Sequence, residues 1–305
     1  MNEAFPKMLA RYGCRKPADD PRALREILQG VVLLGLWRGR FFERAALCGG
    51  ASLRLLHGMD RFAADLDFVL LAPDPGFSFT RYDSALVREV ESMGFAIGLK
   101  EKAAHRASPL ESAFLKADTQ QYTLGIEAIP DASWRRYADP RIRIRIEIDT
   151  DPSPGAACVS RTCPWPIPFS VRTLALPDLL AVKLAGLLAR RYYRRAKGRD
   201  WYDLAWCAGR GIGPNLGHLE ALLRRAGRLP EEMPLTRERV LKMAEKVIKI
   251  LDVEEARQEA LPFLRDPGTV ASWSPEFFRD AFGRILAVRC APSTVAGLPE
   301  TIPLR

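Results

Sequence analysis

The chain has 305 residues, 48% of them hydrophobic and 27% charged, with a formal net charge of +9. That length and apolar content suit two domains with substantial cores and exclude a disordered chain, and no apolar run approaches the ~20 residues that a membrane-spanning helix needs. The basic excess favours a polyanionic partner through counterion release, but says nothing about fold.

The N-terminal stretch MNEAFPKMLARYGCRKPADD carries acidic residues and lacks the apolar core and small-residue cleavage site of a signal peptide, so a cytoplasmic protein is expected. The longest apolar run, from Gly30 to Trp37, has the length of a strand or short helix. Cys14, Cys48, Cys158, Cys163, Cys207 and Cys290 form no C-x-x-C pair and read as buried thiols. His57, His105 and His218 have no zinc-ligand spacing and no neighbouring nucleophile, which argues against a histidine-based triad or a three-histidine metal site.

Ala45 to Cys48 reads as a short buried strand, Gly49-Gly50 as a tight turn, and Ala51 to His57 as a helix starting there. Such a turn aims backbone N–H groups and a helix dipole at whatever lies above it, which suits the phosphates of a nucleotide. Taken alone it is equally a plain turn. In Ala64 to Leu71, strand alternation sends Leu66, Phe68 and Leu70 one way and Asp65 and Asp67 the other, with the two aspartates roughly 7 Å apart on one face. Two carboxylates held side by side repel unless water or a cation intervenes, and hard divalent cations take carboxylate and phosphate oxygens together. A polar, solvated edge strand would show the same pattern.

Ile142 to Asp149 alternates cleanly: the isoleucines face the core, and Arg143, Arg145, Glu147 and Asp149 share the opposite face. Glu147 is the candidate third metal ligand, with cross-strand ion pairing as the competing explanation. The five prolines between Pro152 and Pro168 read as a connector. The expected boundary separates a core, residues 1–170, from a helical domain, residues 171–305, that contributes phosphate-binding residues.

Pro177 suits the first turn of a helix over Asp178 to Arg195. On it Lys183, Gly186, Arg190 and Arg194 share one basic face, suited to triphosphate oxygens, although an exposed amphipathic face has the same spacing. In Lys197 to Leu204, Gly198 can end one helix and Asp200 can begin the next. Asp200 then reads either as an N-cap with Asp203 near N3, or as an acid that contacts nucleotide or fixes Lys183 or Arg199. Asn215 to Gly227 and Thr236 to Asp252 repeat the helical period.

The ordered set CGGASLRL at 48–55, RFAADLDF at 61–68, the glutamate of IRIEI, and KLAGLLAR with RDWYDL between 183 and 204 resembles the AbiEii/MenT-like nucleotidyltransferase toxins of type IV toxin–antitoxin systems. The stretch from Asp252 to Trp273 looks like that family's helical tail. The resemblance implies an α/β, polymerase-β-like core with a mixed sheet, followed by a C-terminal helical domain. It implies metal binding by Asp65 and Asp67, phosphate binding by Lys183, and a functional acid at Asp200. For MenT-like members it further implies transfer of a nucleoside monophosphate from an NTP to the 3′ end of tRNA, countered by a cognate antitoxin. The chain departs from the pattern at Ala51 and Ala63, where hydroxyl residues are usual, leaving Ser52 as the nearby hydroxyl.

The expected site therefore comprises Asp65, Asp67, Lys183 and Asp200 as catalytic groups. Gly49, Gly50, Ser52, Lys183, Arg190, Arg199 and Asp203 form the nucleotide contacts, and Asp65, Asp67 and Glu147 bind Mg2+ or Mn2+. The competing functions are nucleotidyl transfer to a protein or small molecule, and a non-catalytic nucleotide- or nucleic-acid-binding regulator.

Overall fold

The computed structural model describes residues 4–13, 21–102, 119–128, 141–189 and 197–288. Helices α1 (Ala4–Ala10) and α2 (Pro21–Arg38) precede β1 (Ala45–Cys48), α3 (Gly49–His57), β2 (Leu66–Leu70) and α4 (Asp83–Ser92). Strands β3 (Phe95–Lys102), β4 (Thr119–Ala128), β5 (Arg141–Asp149), β6 (Cys158–Cys163) and β7 (Phe169–Leu174) follow. Helices α5 (Leu176–Ala189), α6 (Gly198–Gly209), α7 (Leu216–Arg225), α8 (Arg237–Lys249), α9 (Val253–Ala260) and α10 (Pro275–Ala287) complete the described chain. This is an α/β fold with a helical C-terminal region.

The strands form one mixed sheet in the order β3-β4-β5-β2-β1-β7-β6. Strand β1 is antiparallel to β2 and parallel to β7, and β2 is parallel to β5. Strand alternation explains how the sheet is covered on both faces. Leu66, Phe68 and Leu70 of β2 and Ile144, Ile146 and Ile148 of β5 are buried in an apolar cluster with α2 and α4. On β1, Ala45 and Leu47 join that cluster, whereas Ala46 and Cys48 join a second one built largely from α5 to α10. One central strand thus belongs to both cores. In the second, Trp201 is fully buried, its ring 4.5 Å from that of Phe278.

Helix α2 carries the Gly30–Trp37 run within its 18 residues, buried on most sides, and no helix among the described residues is long and apolar enough to cross a membrane. Polar residues just outside the helical periods act as N-caps: Asn215 accepts from His218 N and Thr236 from Arg239 N, each cap being worth about 1 kcal/mol.

Two expectations are corrected. The proline-rich segment is not a bare connector, since Cys158–Cys163 forms β6 at the sheet's edge, where prolines to either side do not interrupt a central ladder. The helical pattern does not begin at Val171 either: Phe169–Leu174 is β7, which pairs with β1 across the expected boundary.

On α3, burial of the His57 ring, helped by nearby Arg161, pushes its pKa down from 6.5 to about 4. Its Nε2 is buried and has no hydrogen-bond partner among the described residues. The unfolded chain therefore takes up the proton first, and this residue's share of stability, intact above pH ~6.5, is lost progressively as the pH falls toward ~4. His57→Gln is expected to flatten that part of the profile, read as urea midpoints at several pH values; parallel profiles for the two proteins would contradict this.

Candidate active site

The site begins where β1 hands over to α3. Gly49 opens the helix with φ +68, a left-handed backbone that side chains disfavour. A Cβ there would lie 2.2 Å from Asp67 Oδ2, and one at Gly50 would lie 2.8 Å from Arg61 Nη2. The absence of two side chains lets Asp67 and Arg61 press against the turn. Both glycines are buried, so the expected phosphate cradle is packed by these two side chains rather than open.

Asp67 lies opposite Cys48 on β1 and opposite Glu147 on β5. The β2–β5 register therefore brings Glu147 beside Asp67 on the sheet face away from the isoleucines, and Asp65 lies one residue before β2. Burial pushes the Asp67 pKa up to about 7; the charge of Glu147 and, less strongly, Asp65 adds to the rise, and Lys183 and Arg145 oppose it. Burial and Asp65 also raise the Glu147 pKa against the pull of Arg145. Between two of these acids lies Arg145, with Nη2 3.0 Å from Asp65 Oδ2 and Nη1 3.0 Å from Glu147 Oε1. Among the described residues no three carboxylate, thiol or imidazole groups already form a metal cage. The donor chemistry nevertheless suits a hard cation: half-buried carboxylate oxygens crowd one another, and positive charge is what lets them ionise together.

Asp149, next on the same face, is drawn off by Arg225 of α7, which donates to both of its oxygens at 2.7 and 2.9 Å.

The other side of the site is a buried network of charges. Arg61 donates through Nε and Nη2 to the two oxygens of Asp203 at 2.6 and 2.7 Å, with side-chain exposures of 3% and 0%. Lys183 Nζ reaches the same carboxylate at 2.9 Å and Asp200 Oδ1 at 3.4 Å. Burial works against the Lys183 ammonium, but Asp203 and Asp200 outweigh it and hold its pKa above the usual value. Gly186, one turn after Lys183, faces Asp200, whose Oδ2 would be in ordinary contact at 3.9 Å from a Cβ there. Helix α6 starts at Gly198, with Lys197 rather than Asp200 as its N-cap. Gly198 does more than punctuate: a Cβ would fall 1.7 Å from the Ala256 carbonyl oxygen, so its absence lets α9 cross close over the start of α6.

The structure brings Gly49, Gly50, Asp65, Asp67 and Glu147 together, and gathers Lys183, Asp200 and Asp203 into one cluster. Ser52 is placed differently from expectation: it is fully buried, and its hydroxyl lies 2.6 Å from Thr173 Oγ1. Thr173 donates in turn to the Leu47 carbonyl, so the Ser52 hydroxyl braces β7 against α3 instead of facing a phosphate. Arg199 is also engaged elsewhere, its backbone N and Nε on Glu259 and its guanidinium over the Phe263 ring. Arg190 lies outside the described residues. Arg61 was missed as a site residue, and nothing local signals it, since its partner lies 142 positions away. The bridging position of Arg145 was missed as well, although its placement on the polar face of β5 was legible.

The family model for the nucleotidyl transferase AbiEii toxin of type IV TA systems matches residues 31–285. Among solved structures, the chain is similar to a candidate nucleotidyltransferase from H. pylori, at 14% identity and TM-score 0.48 over 88% of this chain and 94% of that one. It is also similar to JHP933 from Helicobacter pylori, at 14% identity and TM-score 0.49 over 88% and 93% of the two chains. No curated protein matches significantly.

Asp203→Ala leaves the Arg61 guanidinium buried without its carboxylate and is expected to cost about 3–5 kcal/mol in denaturant unfolding; a loss under ~1 kcal/mol would show that the pair is not a buried anchor. Gly49→Ala is expected to lower stability by about 1–2 kcal/mol from the left-handed backbone alone, and to abolish activity by displacing Asp67. A fully active variant would contradict the close contact.

Proposed function

The chain belongs to the nucleotidyl transferase AbiEii toxin family of type IV TA systems, and on that premise we propose that it transfers a nucleoside monophosphate from an NTP to an RNA acceptor, the 3′ end of tRNA. The observation that carries this reading is the β2–β5 register setting Glu147 beside Asp67, on a face where the Lys183 charge also reaches Asp67. A cluster of carboxylates thus lies beside a fixed ammonium, the combination that a reaction moving a charged phosphoryl group uses.

In the proposed reaction the acceptor hydroxyl oxygen bonds to the α-phosphorus and the α–β bridging bond breaks. Pyrophosphate leaves, and the hydroxyl proton passes to the carboxylate cluster. Asp65, Asp67 and Glu147 would hold Mg2+ or Mn2+, which when bound supplies neutralising charge to the transferred group. Lys183 meets the charge that builds on the leaving pyrophosphate. Asp203 and Asp200 keep its amine protonated and fix its direction, and Arg61 holds Asp203 in place beneath it. The Gly49-Gly50 turn sets the depth of Asp67. Phosphate contact falls to Lys183, since the start of α3 is packed by Asp67 and Arg61 and Ser52 is engaged by Thr173. The +9 net charge favours an RNA acceptor over a neutral small molecule, and membership of a TA family implies a cognate antitoxin as protein partner.

The test is to incubate the purified protein with each α-labelled nucleoside triphosphate, magnesium and total bacterial RNA, alongside Asp67→Ala. A labelled band at tRNA size that is lost in the variant is expected. Label on protein or on a small molecule would transfer the reading to another acceptor. Absence of label together with absence of metal-dependent pyrophosphate release would leave a binding role.

A further inference from the structure

Arg145 is out of place in a site that is to hold a divalent cation. Its guanidinium spans the gap between Asp65 and Glu147, with one terminal nitrogen 3.0 Å from an oxygen of each. One carboxylate lies just before β2 and the other on β5, 82 positions apart, so a single planar fork bridges two separate segments. Both acids are about a fifth to a quarter exposed, whereas the arginine side chain is 48% exposed. The contact is therefore held from above, on a side chain free to leave without unpacking the core.

We propose that Arg145 is a resident counter-ion, which neutralises Asp65 and Glu147 until a divalent cation replaces it and is thereby released to the triphosphate that arrives with the cation. Three physical arguments converge on this, and the inference rests on the cation site of the proposed function. The guanidinium and a hard cation compete for the same carboxylate oxygens and repel one another, so binding of one lowers the occupancy of the other. An arginine fork matches phosphate oxygens as well as carboxylate oxygens, giving the displaced group a second partner on the same sheet face. The contacts it gives up are solvent-exposed ion pairs, which are weak enough to exchange. Arg145 is in this sense a positioning residue: it holds Asp65 and Glu147 to one another and couples loading of the cation to capture of the nucleotide.

The test compares wild-type protein with Arg145→Gln and Arg145→Lys, titrated with Mn2+ alone and read as free Mn2+ by electron paramagnetic resonance, without nucleotide. Removing two exposed ion pairs that compete with the metal should tighten Mn2+ binding about three- to tenfold in Arg145→Gln, while Arg145→Lys stays near wild type. In the transfer assay the same glutamine variant should show the opposite trend toward nucleotide, its KM rising about tenfold and its kcat changing by less, the mark of a lost binding contact. Thermal melting of each variant checks that the fold is intact. Mn2+ binding that is unchanged or weaker in Arg145→Gln, with transfer to RNA still measurable, would overturn the counter-ion role and leave the proposed function standing. No Mn2+ binding in any of the proteins would overturn the cation site and this inference with it.

Discussion

The double hydrogen bond of Arg61 to Asp203 is the interaction on which the arrangement depends. Both groups are taken almost wholly out of water, and a buried ion is tolerable only if its partner's geometry is near ideal. The pair meets that demand with both carboxylate oxygens, and the second oxygen also takes Lys183. As a result Arg61, before β2, fixes α6, and α6 fixes the Lys183 amine on α5. Two buried cations share one carboxylate. Asp203 is therefore the keystone of this network, with Asp200 a more distant partner of Lys183.

The sheet makes the complementary contribution. Because β1 feeds alternate residues into two apolar clusters, the turn that follows it is held from both faces. The turn in turn limits how far Asp67 can protrude. The Asp65–Asp67–Glu147 group and the Arg61–Lys183–Asp203 network thus lie near one another, although each joins residues far apart in the chain.

What the sequence disclosed was local. Alternation over Leu66–Leu70 and Ile142–Ile148 placed six residues in the core and Asp67 and Glu147 on the other face, because a two-residue period leaves little choice once one face is buried. Asn215 and Thr236 were legible as boundaries by the same logic, their side chains being satisfied within three residues. The Gly49-Gly50 turn was readable as a turn, but what it accommodates was not, since Asp67 and Arg61 reach it from outside the segment. Edge strand β6 hid behind flanking prolines. The roles of Ser52 and Arg199 could not be inferred from residue type: each is set by a distant partner, Thr173 or Glu259, that no periodicity announces.

The Asp149–Arg225 pair has a consequence of a different kind. Asp149 lies two residues beyond Glu147 on the same strand face, close enough for its charge to be felt at Cys48. Arg225, on a helix 76 residues away, holds both its oxygens and so keeps a fourth anion from adding its full field to Asp65, Asp67 and Glu147. Arg225 thereby trims the negative field on this face without touching Asp65, Asp67 or Glu147. Arg225, the last residue of α7, is accordingly a position where loss of charge would be felt at the carboxylates of another element.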